Sequence, residues 1–248
     1  MAWKLPWGVG VRRMPLPAVP RTMSPEGSLE RAPFPIGDDL PASLGLAGVV
    51  DVETTGLSPR RDEIVELALI LFAFDRATGH IQGVVDEYSG LREPSVPISA
   101  GASKVNGITW EMVRGRRLDE PRVEQMLRRA EFLVAHNAPF DRSFLTRLFP
   151  LAGEKLWACS MRSVDWRGLG FDSAALQSLL RHHGIMAERA HRGPEDAHAT
   201  LALLSRVGPD NRPYFYWLLQ SYRPQPSSPG LTRRRPRWTR PGHPEHSL

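Results

Sequence analysis

The 248-residue chain predicts an α/β domain of three layers built on a mixed, mainly five-stranded sheet. Two observations carry that expectation. Three consecutive strand-like runs joined by short turns read as an antiparallel meander, and downstream of them helical and strand patterns alternate. A third observation concerns the ends. Residues 1–44 and 223–248 are rich in Pro and Arg without sustained periodicity, and read as disordered extensions.

The elements follow in order. "LAGVVDVE" is apolar up to Asp51 and reads as a buried strand, and "EIVELALILFAFD" (Glu63–Asp75) as a longer second one. "HIQGVVDEYSGLR" gives the third, with turns at Ser58–Arg61 and Thr78–Gly79. A Pro-rich loop at Pro94–Pro97 leads to short helical pieces around "GASKVNGIT" and Trp110–Val113. A helix over about Glu120–Ala130 carries Val123, Met126 and Leu127 on one face, and "EFLVAHN" reads as a short buried strand. "APFDRSFLTRLF" places Phe140, Phe144 and Leu148 four residues apart on a helix, and "LWACS" completes the five strands. Helices are expected at Ser173–His183, Glu195–Val207 and Arg212–Ser221. The domain is therefore drawn over 45–208, with a C-terminal helix in 209–222.

Bulk properties narrow the class. One cysteine, Cys159, excludes an internal disulfide and suits a reducing compartment. The Pro-broken N-terminus has no apolar run of the kind a signal peptide needs, and no stretch approaches the roughly 18 apolar residues of a membrane helix. A soluble, cytoplasmic protein without a membrane partner is expected. The formal charge of +5 is misleading as a guide to the body. Residues 223–248 hold six arginines and one glutamate, which accounts for all of it. That tail, with Trp238, either touches nucleic-acid phosphates and bases or is a solvated appendage.

Three segments concentrate carboxylates. In "VVDVETTGLSP" the period of two puts Asp51 and Glu53 on the same face at a strand end, where like charges repel. "HNAPFD" supplies Asp141 at a helix start after the strand ending near His136, and "HRGPED" supplies Asp196 in a first helical turn. Either acid alone is explained by the helix macrodipole. Four carboxylates without matching basic neighbours instead suit hard divalent cations such as Mg²⁺ or Mn²⁺. Two such ions can activate water toward a phosphodiester, and His191, in a Gly/Pro loop, is placed to take a proton.

"DVETTG", "HNAPFD" and "HRGPED", in this order and at these distances, resemble the DEDDh-type 3′–5′ exonucleases, the family of bacterial proofreading subunits, ribonuclease T and oligoribonuclease. The resemblance covers roughly Ala47–Val207 and implies a ribonuclease-H-like fold. It implies that Asp51 bridges two divalent cations, that Glu53 and Asp196 complete the tighter site, and that Asp141 helps hold the second. His191 would be the general base. Thr54 and Leu57 would meet the 3′-terminal nucleotide, with Leu57 either a wedge against a base or a turn residue closing the core. His136, Asn137 and Asn106 are further candidates for substrate contact. Asn106 stands where relatives often carry histidine, and Gly193 where they often carry alanine. His198 is expected to support Asp196 or pack beside it, and Glu195 to face away from the metals, because successive helical residues lie about 100° apart.

The implied activity is release of nucleoside 5′-monophosphates from single-stranded or frayed 3′ ends, with DNA favoured. An RNA-trimming enzyme and a silent binding or polymerase-accessory module are the alternatives. Association with a DNA polymerase subunit has no support from a clamp motif, since no Gln-x-x-Leu-Phe stands in the tail.

Overall fold

The computed structural model describes residues 40–185 and 191–222. The extensions expected to be disordered, in 1–44 and 223–248, lie outside the described residues except for 40–44. Strands β1 (Leu44–Thr54), β2 (Ile64–Asp75) and β3 (Ile81–Leu91) form the expected meander. With β4 (Phe132–Ala135) and β5 (Leu156–Cys159) they make one sheet in the order β3-β2-β1-β4-β5. β1 runs antiparallel to β2 and parallel to β4, so the sheet is mixed.

The alternation of side chains along β2 builds both cores. Leu67, Leu69 and Leu71 face one layer, where α3 (Glu120–Arg129), α4 (Ala138–Leu148) and α5 (Pro150–Glu154) pack through Met126, Phe144 and Ala152. Ala68, Ile70, Phe72 and Phe74 face the other, covered by α7 (Leu176–His182), α8 (Gly193–Ser205) and α9 (Tyr214–Tyr222). Phe74, Phe132 and Phe215 meet there at ring distances of 5.1–6.2 Å, within the range of favourable aromatic pairs. Along β1, Ala47 and Val49 belong to this second face. Asp51 and Glu53 continue the same row and are thus aimed at the α7–α8 layer.

The remaining helices are α1 (Ala100–Asn106), α2 (Trp110–Val113) and α6 (Ser160–Ser163). Neither α5 nor α6 is signalled by periodicity, being five and four residues long. Three helix boundaries shift for identifiable reasons. α7 begins at Leu176, not Ser173, because Ala174 O accepts from the His136 ring and Ala175 is extended. α8 opens at Gly193 with Pro194 in its first turn, a position where the missing N–H is harmless. α9 begins at Tyr214 because Val207 and Pro213 form a β-bridge that holds the preceding loop. Among the described residues no helix is long and apolar enough to cross a membrane.

Candidate active site

β1 outruns its parallel neighbour. The β1–β4 pairing covers only Ala47–Val49, leaving the far end of β1 open on that side. The chain then turns sharply after Glu53. Asp62 ties this turn by accepting from Thr55 Oγ1 at 3.1 Å and Ser58 N at 2.8 Å. A Cβ on Gly56 would lie 2.6 Å from the Asp62 carboxylate, so only glycine fits. The result is a cleft of about 760 Å³ outside the carboxyl ends of β1 and β4, where open α/β sheets bind ligands.

All four predicted carboxylates line this cleft, together with His191. Asp51 and Glu53 are half-buried, while Asp141 and Asp196 are buried. Asp141, in the first turn of α4, accepts the Val52 N–H left unpaired by β4, at 3.2 Å. Asp196 Oδ2 accepts from His191 N at 2.9 Å and its Oδ1 from Gln177 Nε2 at 3.2 Å. Gln177, on α7, also lines the cleft. Nothing in its sequence setting marks it, since the contact spans two segments whose packing decides it.

Burial holds the Asp51 carboxyl well above its usual range, and the carboxylates of Asp141, Glu53, Asp196 and Glu66 push it further in the same direction. Burial raises Glu53 to about 8, opposed by a hydrogen bond from Asn106. Burial likewise raises Asp141 to about 7, against the pull of its backbone N–H partners. Asp196 is raised by burial, with the His191 N–H pulling it back. Such mutual repulsion is what a divalent cation relieves. Among the described residues no three acidic, histidine or cysteine side chains form a ready cluster around one point. The carboxylates line a cavity rather than close a cage, and their hard oxygen donors fit Mg²⁺ or Mn²⁺ chemically.

The other candidates separate. Leu57 is 85% exposed at the cleft rim, so it does not close the core. Thr54 is buried and its hydroxyl donates to Gly56 O at 2.6 Å. Asn106, expected beside the substrate strand, lines the cleft and is also a buried brace: Nδ2 donates to Thr54 O at 3.4 Å and Oδ1 accepts from Ile108 N at 2.9 Å. His136 lines the cleft with both ring nitrogens engaged, Nδ1 at 2.9 Å from Ser160 Oγ and Nε2 at 2.8 Å from Ala174 O. A carbonyl can only accept, so Nε2 carries the proton and the ring is a neutral strut between β4 and the loop before α7. Burial lowers its pKa accordingly. Asn137 is exposed and makes no cap bond to α4. His198 departs from expectation: it is exposed and pairs with Glu87 on β3 at 3.1 Å, away from Asp196. Glu195 does not line the cleft, as the helical spacing required.

Gly193 has no steric need to be glycine. A Cβ there would sit 3.5 Å from Ala68 Cβ and Glu66 Cγ, ordinary contact distances. Gly193→Ala should therefore retain activity and raise stability by about 0.4–1 kcal/mol through the unfolded chain. Thermal melting beside a turnover assay checks both halves, and a loss of folding would contradict it.

A mixed five-stranded sheet with a carboxylate-lined cleft at the end of its central strand defines a ribonuclease-H-like α/β domain. Residues 49–204 match the RNase_T exonuclease family model, and this chain belongs to that family, the DEDDh-type 3′–5′ exonucleases. It is 34% identical over 174 residues to DNA polymerase III PolC-type of Thermotoga maritima, a match covering 64% of this chain and 11% of that protein. It is 30% identical over 169 residues to DNA polymerase III subunit epsilon of Treponema pallidum, covering 63% of this chain and 74% of the subunit. The chain thus spans a small part of the PolC-type relatives. E. coli Exonuclease I, solved in complex with a dT13 oligonucleotide, shares the fold with TM-score 0.53 and 18% identity, covering 65% of this chain and 40% of that one.

Proposed function

We propose that this protein is a metal-dependent 3′–5′ exonuclease that hydrolyses the terminal phosphodiester of nucleic acid, DNA in preference to RNA, and releases nucleoside 5′-monophosphates. The observation that carries the reading is the arrival of Asp51, Glu53, Asp141 and Asp196, from three separate segments, in one cleft. Relatedness to two DNA polymerase III proteins supports DNA as substrate. It also makes association with a polymerase in the cytoplasm the natural setting.

The four carboxylates would hold two Mg²⁺ or Mn²⁺ ions, which when bound stabilise charge on the phosphodiester and acidify water. His191, exposed at the mouth, takes the proton from the attacking water. Leu57, projecting at the rim, offers an apolar surface that packs against the terminal base without reading sequence. Thr54 and Asn137 face the same space from β1 and from the start of α4.

The test is digestion of a 5′-labelled single strand with Mn²⁺. A ladder shortening from the 3′ end, mononucleotide products and arrest by chelator are expected, with matched RNA degraded more slowly. Internal cleavage, or undiminished turnover in chelator, would overturn the reading, and faster loss of RNA would reverse the substrate preference.

A further inference from the structure

Opposite the metal-site strand, at the register partner of Glu53, β2 carries a second glutamate, Glu66. It is 3% exposed. Two carboxylates facing each other across an antiparallel pair destabilise a sheet, so Glu66 requires a cationic partner. That partner comes from 126 residues along the chain. Arg192 grips Glu66 with both arms of its guanidinium, Nε to Oε2 at 3.1 Å and Nη2 to Oε1 at 2.7 Å. The next residue adds a third bond, Gly193 N to Glu66 Oε2 at 3.0 Å. Three donors from one turn thus converge on a single buried carboxylate.

Arg192 stands between His191 and the helix that bears Asp196. His191 has φ of 63°, a left-handed conformation uncommon outside glycine, and its N–H donates to Asp196. Such a backbone persists where its surroundings over-determine it. We propose that Glu66 and Arg192 are a positioning pair, clamping this turn to β2 so that His191 and Asp196 are held toward Asp51 and Glu53. Lysine would replace Arg192 only in part, because a point charge keeps the attraction but lacks the planar fork that sets orientation. The proposal rests on the exonuclease reading for its catalytic consequence. The clamp itself is a property of the turn.

Arg192→Met, Glu66→Gln and their double variant test it in the full chain, with two readouts. The first is steady-state hydrolysis of the labelled strand. Each single variant should lose kcat by about a hundredfold, the scale of an ångström-sized misplacement, with KM little changed. The double variant should be no worse than either single, as for residues acting as a unit. Arg192→Lys should recover only part of the loss. The second readout, hydrogen exchange without metal, does not need turnover. The His191 amide should exchange at least about tenfold faster in Arg192→Met while the amides of β2 around Ile70 stay protected. Unchanged kcat with unchanged His191 exchange would overturn the clamp. So would exchange that accelerates equally across β2, which marks a general loss of stability. If the wild type shows no hydrolysis while the His191 amide still deprotects, the exonuclease reading fails and the clamp stands.

Discussion

Asp51→Asn should abolish hydrolysis while leaving the fold intact or firmer. Asp51 is the carboxyl on which the others converge: Asp141, Glu53, Asp196 and Glu66 all push its pKa up, behind burial. Replacing it with the neutral isostere removes the group expected to bridge two cations. Transition-state stabilisation by a bound metal is worth several kcal/mol, so a loss of at least about a thousandfold in kcat is expected. Stability should move the other way. Without metal, the substitution deletes one member of a repelling set, and the chelated variant should melt at or above the wild type. Mn²⁺ should raise the melting temperature of the wild type, which it binds only when folded, and leave the variant nearly unmoved. Turnover within tenfold of the wild type would sink the assignment of Asp51, and a variant that melts far lower would show that the cleft is not crowded with charge.

How much of this was legible before folding depends on the reach of each interaction. Asp51 and Glu53 declare themselves through a period of two and the turn that follows. Asp141 and Asp196 announce themselves by first-turn positions after Pro-containing caps, and the three motifs in order complete the set. The five strands were readable because β1 and β2 are long and apolar on both faces, as burial between two helical layers demands. Contacts made by ordinary-looking polar residues were not. Gln177 resembles any helix-surface glutamine until α7 packs on α8. Arg192 resembles a solvated loop cation until the fold brings it to Glu66. Asn106 shows a second kind of hidden contact. Its place in the motif suggested a substrate contact, and it does line the cleft, but the sequence does not reveal that its amide also braces Glu53 and the Thr54 carbonyl. The His136 ring shows how one such contact also moves a helix start, by drawing Ala174 O out of register for α7.

The same crowding predicts a pH dependence whose sign is opposite to that of most salt-bridged proteins. Glu53 titrates at about 8 in the folded protein and Asp141 at about 7, whereas both ionise in the ordinary carboxylate range when unfolded. Between those limits the native state holds protons that the unfolded chain has released. Stability then falls as pH rises through that range. Buried His136 and His183, whose pKa values are lowered, act in the other sense mainly below about 6.5, where the unfolded chain takes up protons that the native state refuses. The carboxylates Glu63 and Asp75, with lowered pKa, complete their contribution by about pH 6. From 6.5 to 8 the cleft acids dominate, with the two histidines, still half protonated in the unfolded chain at 6.5, offsetting part of the fall over the first unit. One proton over that interval corresponds to about 2 kcal/mol, or about 4–8 °C in melting temperature for a domain of this size. Metal-free protein should lose up to that much between pH 6.5 and 8, and Glu53→Gln should flatten most of the decline. Saturating Mn²⁺ displaces the same protons, so the stabilisation it confers should grow across the interval as the competing protons disappear. A metal-free melting temperature that stays level or climbs from 6.5 to 8 would mean that the carboxylates are already ionised without a cation, and that their gathering in the cleft is held by other forces.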